Sequence, residues 1–324
     1  MCSTRSAILE FLSDRCPHSG AEIAKLVGIG PSTVHYHMRK LTRLGLGIQR
    51  IDRQHYRLRT PLRPLCRRTI LEQLGAEASF VTDRFCVRQE VDSTSLSLLR
   101  QRPLVPGSVC VAEMQTAGRG RHGRGWVATP YCNILLSMSW RLRCAPAVTS
   151  GLSLAAGVAV VCALADHGVN AGLKWPNDVV WRGRKLAGVL IDTRHDARGS
   201  VFVVVGVGVN AYIVRRDAGA ISQPWVDLTT ITGTEVDRNR FVAQLIGRLR
   251  ATLHTFEQAG FSRFRQEWER LHVFNGRQVS IVDGDAVMTG RVLGIDALGA
   301  LRLQDDNGRV KMFHCGYVRA RPVA

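Results

Sequence analysis

Val34, Met38, Leu41 and Leu44 recur at spacings of four and three, which lays one apolar stripe along a helix. The opposite face of that helix carries Ser32, Thr33, His35, Tyr36, Arg39, Lys40 and Arg43. Gly30 can cap its start, and Pro31 suits its first helical position. Upstream, Ser6 to Leu12 reads as a short apolar helix. Ser19-Gly20-Ala21-Glu22 opens a second that runs to Val27, with Gly28 supplying the turn. Ile48 to Arg53 and His55 to Arg59 read as the two strands of a wing. Helix, turn, polar-basic helix and wing predict a DNA reader whose third helix enters the major groove. Ser32, Thr33, His35, Tyr36 and Arg39 are its expected DNA contacts. A small helical cap with a solvated basic face would show the same pattern. His35 and His37 are two apart and cannot share a helix face as a metal pair.

Pro61 to Pro64 punctuate the end of the wing, and Arg67 to Leu74 reads as a linking helix. From Arg84 strands and helices alternate. Val109 to Ala112, Ile134 to Trp140, Gly188 to Thr193 and Phe202 to Val209 are apolar strand runs. Thr149 to His167 is a long helix of small residues that must pack tightly, and Asn239 to Ala259 is another helix. The mixture predicts an α+β arrangement, with helices over a largely antiparallel sheet. After Trp268 the texture changes. Gln278 to Val282, Val287 to Leu293, Leu301 to Leu303 and Val310 to Phe313 are short strands separated by Asp-Gly, Leu-Gly and Asn-Gly turns. They predict a small barrel.

Composition narrows the class. At 324 residues the chain has room for two or three domains. No apolar run approaches the roughly 18 residues that a membrane span needs. The opening Met-Cys-Ser-Thr-Arg-Ser lacks the apolar core of a secretory signal. Nine cysteines are scattered without a Cys-x-x-Cys pair, so neither a disulfide framework nor a zinc site is expected. A cytoplasmic location with no membrane partner fits these features. The net charge of +18 points to a polyanionic partner. Residues 1–70 hold thirteen Lys/Arg against four Asp/Glu, which places much of that excess beside the DNA reader.

Two segments carry the chemistry. Gly118-Arg119-Gly120-Arg121-His122-Gly123-Arg124-Gly125-Trp126 sets four glycines and three arginines between apolar runs. Glycine lets backbone N–H groups approach an anion, and arginine adds planar charged forks. On composition alone an RNA-binding arginine–glycine tract reads the same way, though such tracts usually lie in disordered sequence. The second segment runs Leu173-Lys174-Trp175-Pro176-Asn177-Asp178, then Arg184-Lys185-Leu186-Ala187-Gly188. Only five residues of the chain are lysine, and two of them lie here, eleven positions apart. Where arginine is the default cation, a lysine marks a place suited to a compact ammonium. Gly206-Val207-Gly208 lacks the third glycine of a dinucleotide loop, and neither a P-loop nor a His-Glu-x-x-His motif occurs.

With Glu90-Val91-Asp92-Ser93-Thr94 and Gln115, these segments stand in the order and spacing of the biotin–protein ligases. The chain resembles that family across nearly all its length, and its helix-turn-helix resembles the bifunctional ligase/repressor subclass. The resemblance implies a winged helix-turn-helix over residues 1–62 and a central mixed α/β ligase domain, similar to class II synthetases, over 63–270. It implies an SH3-like β-barrel over 271–324. Two half-reactions are implied: ATP and biotin give biotinyl-5'-AMP, then biotin passes to a lysine of a biotin carboxyl carrier protein. Operator DNA is the second implied partner, read by a homodimer formed when biotinyl-AMP is bound.

By family position Ser93, Thr94, Ser95, Gln115, Arg119, Gly120, Arg121, Lys185 and Gly188 hold biotin, with Lys185 and Arg121 catalytic. Arg121, Trp126, Asn177, Asp178 and Asn210 hold the nucleotide. Trp126 either stacks on adenine or is a core tryptophan at a strand edge. Asp178 orients Mg²⁺ or a cation, and Asp192 is either part of the site or a solvated strand end. Mg²⁺ is implied by the triphosphate, and no residue is assigned as a dedicated metal ligand. Two positions depart from the family pattern: Ser95 replaces the usual asparagine, and His122 stands where arginine is common. Val310-Lys311-Met312 resembles the centre of a biotin acceptor, but without the first methionine and in a strand. Two alternatives remain at this point: a DNA-binding ligand sensor without ligase activity, and a lipoate–protein ligase.

Overall fold

The computed structural model describes residues 4–59, 62–142, 151–195, 201–283, 286–314 and 319–322. The expectations placed on Pro61, Thr149 and the Gly284 turn lie outside the described residues.

The N-terminal part contains α1 (Thr4–Phe11), β1 (His18–Ser19), α2 (Gly20–Val27), α3 (Pro31–Arg43), β2 (Ile48–Arg50) and β3 (His55–Leu58). Its small sheet has the order β1-β3-β2. Ser19 and Glu22 form a reciprocal capping box at the start of α2, and Gly28 takes a left-handed conformation at its end. Gly30 and Pro31 start α3 as expected. Val34, Met38 and Leu41 are buried against Ile8, Leu9, Ile23 and Leu58, while Leu44 falls just past the helix end and is half-buried. The wing strands are shorter than the apolar pattern suggests. Asp52 Oδ1 accepts from the backbone N–H groups of Gln54 and His55, at 2.7 and 2.8 Å, and this turn consumes the strand ends.

The central part begins with α4 (Arg67–Leu74) and α5 (Ala78–Val81), followed by β4 (Phe85–Arg88), α6 (Thr94–Leu99), β5 (Val109–Ala112) and β6 (Ile134–Leu142). It continues with α7 (Leu152–Ala165), β7 (Gly172–Lys174), β8 (Asp178–Trp181), β9 (Arg184–His195) and β10 (Val201–Val209). Helices α8 (Arg215–Ala218), α9 (Leu228–Thr232), α10 (Arg238–Ala259) and α11 (Ser262–Leu271) complete it. The seven-stranded sheet runs β4-β5-β6-β10-β9-β8-β7, antiparallel except where β4 meets β5. Helix α7 is buried almost all round, between the sheet and α10. A Cβ at its Gly157 would come within 3.1 Å of Leu173, so the helix packs closely on β7 there. Strand β9 starts at Arg184, four residues before the apolar run predicts. The Lys185 N–H donates to Pro224 O and its carbonyl accepts from Val226 N–H, so a charged stretch gains strand geometry from a distant segment.

The C-terminal part holds β11 (Gln278–Asp283), β12 (Ala286–Ile295), β13 (Leu301–Gln304), β14 (Val310–Phe313) and β15 (Arg319–Pro322). They form one antiparallel sheet in the order β14-β13-β12-β11-β15. Lys311 lies within edge strand β14, in register with Leu303. Val279, Ile281, Leu301 and Leu303 belong to the same continuous core as α7 and α10. The Trp175 indole N–H donates to Gly299 O at 3.0 Å, which locks the turn after β7 to this sheet.

One buried ion pair joins the link after the wing to the sheet. Glu113 and Arg238 are 1% and 5% exposed and meet at 2.9 Å. The second Glu113 oxygen accepts from Leu65 N–H, and Arg238 donates to the carbonyls of Arg63 and Asn133. Removing one member leaves a buried charge without its counterpart. Glu113→Ala is therefore expected to lower unfolding stability by about 3–5 kcal/mol. Urea denaturation followed by tryptophan fluorescence checks this, and an unchanged midpoint would show that the junction does not hold the parts together.

Candidate functional site

The site starts with an absence of side chains. Gly208 of β10 pairs directly with Gly188 of β9, and Gly206 lies on the same face two residues away. A Cβ at Gly208 would lie 2.5 Å from the Trp126 ring, and one at Gly206 would lie 2.7 Å from Ser95 Oγ. A Cβ at Gly188 would reach Trp126 within 3.1 Å. Only glycine fits this floor. Above it opens a cleft of about 1490 Å³, and all thirteen sequence-derived biotin and nucleotide positions line it.

One wall is a hydroxyl and amide network. Ser93 caps α6, which the sequence pattern does not predict in the serine-rich stretch after Thr94. Gln115 Oε1 accepts from both the backbone N–H and the hydroxyl of Thr94, at 2.7 and 3.0 Å. Ser137 of β6, fully buried, bonds the hydroxyls of Thr94 at 2.8 Å and Ser95 at 2.9 Å. Sequence reasoning missed Ser137. Its signal was a polar residue inside the apolar Ile134 to Trp140 run, at a position pointing to the same face as the glycine floor. Ser95, shorter than an asparagine, is spent on that contact rather than reaching further into the cleft.

The opposite wall is the glycine–arginine loop, folded as an irregular hairpin. Gly120 N–H donates to Arg124 O at 2.7 Å and Trp126 N–H to Gly118 O at 2.9 Å. A Cβ at Gly118 would stand 2.6 Å from Trp126 O, so this closure also depends on glycine. His122 turns the tip with a φ of 56°, and Gly123 follows at 70°. Partial desolvation, then the charges of Arg121 and Arg124, hold the His122 imidazole below its ordinary pKa. It stays neutral at pH 7, and the tip charge comes from the arginines.

Two of the cations in the cleft are paired with carboxylates. Arg119 forms a forked pair with Asp192, at 2.9 and 3.2 Å. Asp192 is thus the anchor of the loop and not a solvated strand end. Lys185 Nζ lies 2.6 Å from Asp178 and 5.4 Å from the centre of the Trp126 ring. Trp126 packs over the glycine floor with its indole nitrogen buried and unbonded. Asn177 exchanges hydrogen bonds with Val189, its amide donating to Val189 O at 2.7 Å. The Asn210 amide donates to Lys185 O and Val226 O, at 3.3 and 3.2 Å, and so fixes the ends of β9 and β10. Ala220 to Trp225, Val273, Phe274 and Arg277 also line the cleft. No motif marked them, because they reach the cleft only through chain crossings.

A second surface lies on α3. Ser32, Thr33, His35, Tyr36 and Arg39 are all exposed, Tyr36 at 60%. His35 Nδ1 is 3.2 Å from Tyr56 Oη of the wing. The exposed Arg39, Arg43 and Arg50 flank the same groove. Arg216, from the segment leading into the cleft, donates to the carbonyls of Arg43 and Leu44 at the end of α3. Gly45 leaves room for that guanidinium, since a Cβ there would approach it within 2.9 Å.

Comparison with known proteins agrees with this geometry. Residues 86–210 match the biotin/lipoate A/B protein ligase family, residues 3–46 a winged helix-turn-helix DNA-binding family and residues 274–317 the biotin protein ligase C-terminal domain. The chain is 35% identical to the bifunctional ligase/repressor BirA of Escherichia coli, over 94% of its own length and 93% of that protein. It is also 35% identical to the biotin–[acetyl-CoA-carboxylase] ligase of Mycobacterium tuberculosis, over 76% of this chain and 89% of the other. Among solved structures, the biotin protein ligase of Aquifex aeolicus in complex with biotin and ATP superposes with a TM-score of 0.63 at 26% identity, covering 74% of this chain and 99% of that one. The chain belongs to the biotin–protein ligase family, in the branch that couples the ligase fold to a winged helix-turn-helix.

Proposed function

We propose that this chain is an ATP-dependent biotin–protein ligase and a biotin-responsive transcriptional repressor. The observation that carries the reading is one cleft uniting a buried amide–hydroxyl wall with Lys185, Arg119 and Arg121, in a chain that also exposes a basic recognition helix. Biotin's carboxylate attacks the α-phosphate of ATP, giving biotinyl-5'-AMP and diphosphate. Both reactants are anions, so the site must offset their repulsion and the charge growing at phosphorus. Lys185, already paired with Asp178, exchanges that partner for ligand oxygens. Arg121 closes the loop over the intermediate, Thr94 and Gln115 address the ureido ring, and Trp126 packs against the adenine. Asn177 and Asn210 support the nucleotide side by holding the strand ends. The anhydride then passes biotin to a lysine of a biotin carboxyl carrier protein.

Among the described residues no group of three or more His, Cys, Asp or Glu side chains converges as a metal cage. One or two cleft carboxylates with substrate phosphates are the usual setting for Mg²⁺, so Asp178 is the residue that fits an ion arriving on the triphosphate. The ion would offset phosphate charge there. On the DNA side, Ser32, Thr33, His35, Tyr36 and Arg39 face the major groove, and a homodimer formed on biotinyl-AMP binding reads two half-sites. No helix among the described residues is long and apolar enough to cross a membrane, and we place the protein in the cytoplasm.

Biotin-dependent exchange of diphosphate into ATP tests the ligase reading, with lipoate as the competing acid. Exchange with lipoate alone would assign the other branch of the family; exchange with neither would leave a sensor. Lys185→Ala should lower the biotin-dependent rate by roughly 10²–10³. Near-parental exchange would remove Lys185 from the chemistry.

Arg121→Gly should shorten retention of biotinyl-AMP by about 10- to 100-fold, the effect of removing one charge-assisted hydrogen bond. Release of labelled adenylate from the isolated complex measures it. An unchanged lifetime would mean that Arg121 is not the clamp.

Arg39→Ala should weaken binding to an inverted-repeat operator and flatten its salt dependence, while diphosphate exchange stays at the parental rate. Gel-shift titrations with and without biotin and ATP separate the two activities. A full chain with no ligand-dependent shift would leave a ligase alone.

A further inference from the structure

Cys86 of edge strand β4 and Cys110 of β5 are direct register partners in the parallel part of the sheet. In-register residues of neighbouring strands point to the same face, and their backbones are about 4.8 Å apart. That spacing falls within the Cα separation a disulfide accepts. Both thiols are free. They face α6, in a pocket with Leu98, Leu104, Phe202 and Val204. The two differ in access. Cys110 is fully buried, whereas Cys86 is half-buried at the sheet edge, with the exposed Arg88 two residues along the same face.

We propose that Cys86 and Cys110 form a redox-active dithiol, a modification site that hydroperoxides oxidise to an intramolecular disulfide and that small thiols restore. The division of labour follows from the surroundings. The adjacent Cys110 thiol, more than the nearby Arg88 and Arg67, pulls the Cys86 thiol below its ordinary pKa despite its burial, which favours a Cys86 thiolate. The adjacent Cys86, with burial, pushes the Cys110 thiol up and keeps its proton on. A partly accessible thiolate beside arginines is the arrangement of reactive cysteines. The Cys86 thiolate attacks the hydroperoxide, breaking the O–O bond and leaving a sulfenic acid and an alcohol or water. Cys110 then attacks the sulfenic sulfur; its proton leaves with the hydroxyl as water, and the S–S bond forms. Overall the two thiols give up two protons and two electrons, and the peroxide accepts them to become an alcohol, or water, plus one further water. Cys16, exposed, and Cys66 and Cys162, half-buried, lie elsewhere in the fold, outside β4 and β5, so they serve as internal controls.

The test uses the full chain, treated with hydrogen peroxide at neutral pH and then alkylated, digested and mapped by mass spectrometry. The expected result is a linked pair of peptides containing Cys86 and Cys110, lighter by two hydrogen atoms and separated again by dithiothreitol. Alkylation of Cys86 should fall at least about tenfold after oxidation and recover on reduction. Cys110→Ser should abolish the linked peptide and leave Cys86 as a sulfenic acid that a dimedone probe captures. Because that variant removes a buried thiol, Cys86→Ser at the edge strand provides the second arm, and its Cys110 should stay unmodified. Two results would overturn the proposal: Cys86 alkylating at its original rate after peroxide has consumed Cys16, or Cys86 linked to a cysteine other than Cys110.

Discussion

The bare floor made by Gly188, Gly206 and Gly208 is the constraint on which the site depends. A sheet strand normally fills both faces with side chains. Here three positions on one face carry none, so backbone lies open where Trp126 and Ser95 approach within contact distance. The glycines also cost the sheet some intrinsic stability. That loss is offset by β6 on one flank and β8 on the other, whose apolar residues close the core beneath. The cleft is therefore a property of the sheet itself, and the two walls are additions to it.

Charge in the cleft is organised by pairing. Asp192 holds Arg119 and Asp178 holds Lys185, so these two cations are placed before any anion arrives. Such preorganisation spares the site the reorganisation that free side chains would need as charge develops. It also sets a competition, because a ligand carboxylate or phosphate must displace an acidic side chain from the same cation. Under the proposed chemistry two anionic substrates make that exchange favourable together.

Besides apolar packing, polar contacts of unequal depth join the parts of the chain. Glu113 and Arg238 form a buried junction at the link after the wing. Arg216 reaches from the cleft segment to the end of α3 at a more exposed place. The first is strongly coupled to folding because burial leaves no solvent to replace a missing partner. The second is shallow, and its contacts to backbone carbonyls can be exchanged for water at small cost. Buried apolar packing adds to both, because Val34, Met38 and Leu41 of α3 share one core cluster with Tyr131 and Cys132 of the central part.

How much of this was legible beforehand depends on the range of the interaction. The capping box at Ser19, the Gly30-Pro31 start of α3, the linking helix and the strand at Val109 rest on neighbours within a few residues, and local pattern suffices for them. The specific motifs likewise identified the residues of the glycine–arginine loop and of the Lys174–Asp178 and Lys185–Gly188 segments that line the cleft, whereas Ser137, Gly206, Gly208 and Trp225 carried no such mark. Partnership was out of reach. That Asp192 anchors Arg119, that Asp178 holds Lys185, that Ser137 bridges Thr94 and Ser95, and that Arg184 already belongs to a strand all depend on chain crossings that local periodicity does not encode. The sequence alone determined which residue types were available for binding anions and DNA; the tertiary structure decided which of them meet, because a hydrogen bond or ion pair exists only where folding brings donor and acceptor within about 3 Å.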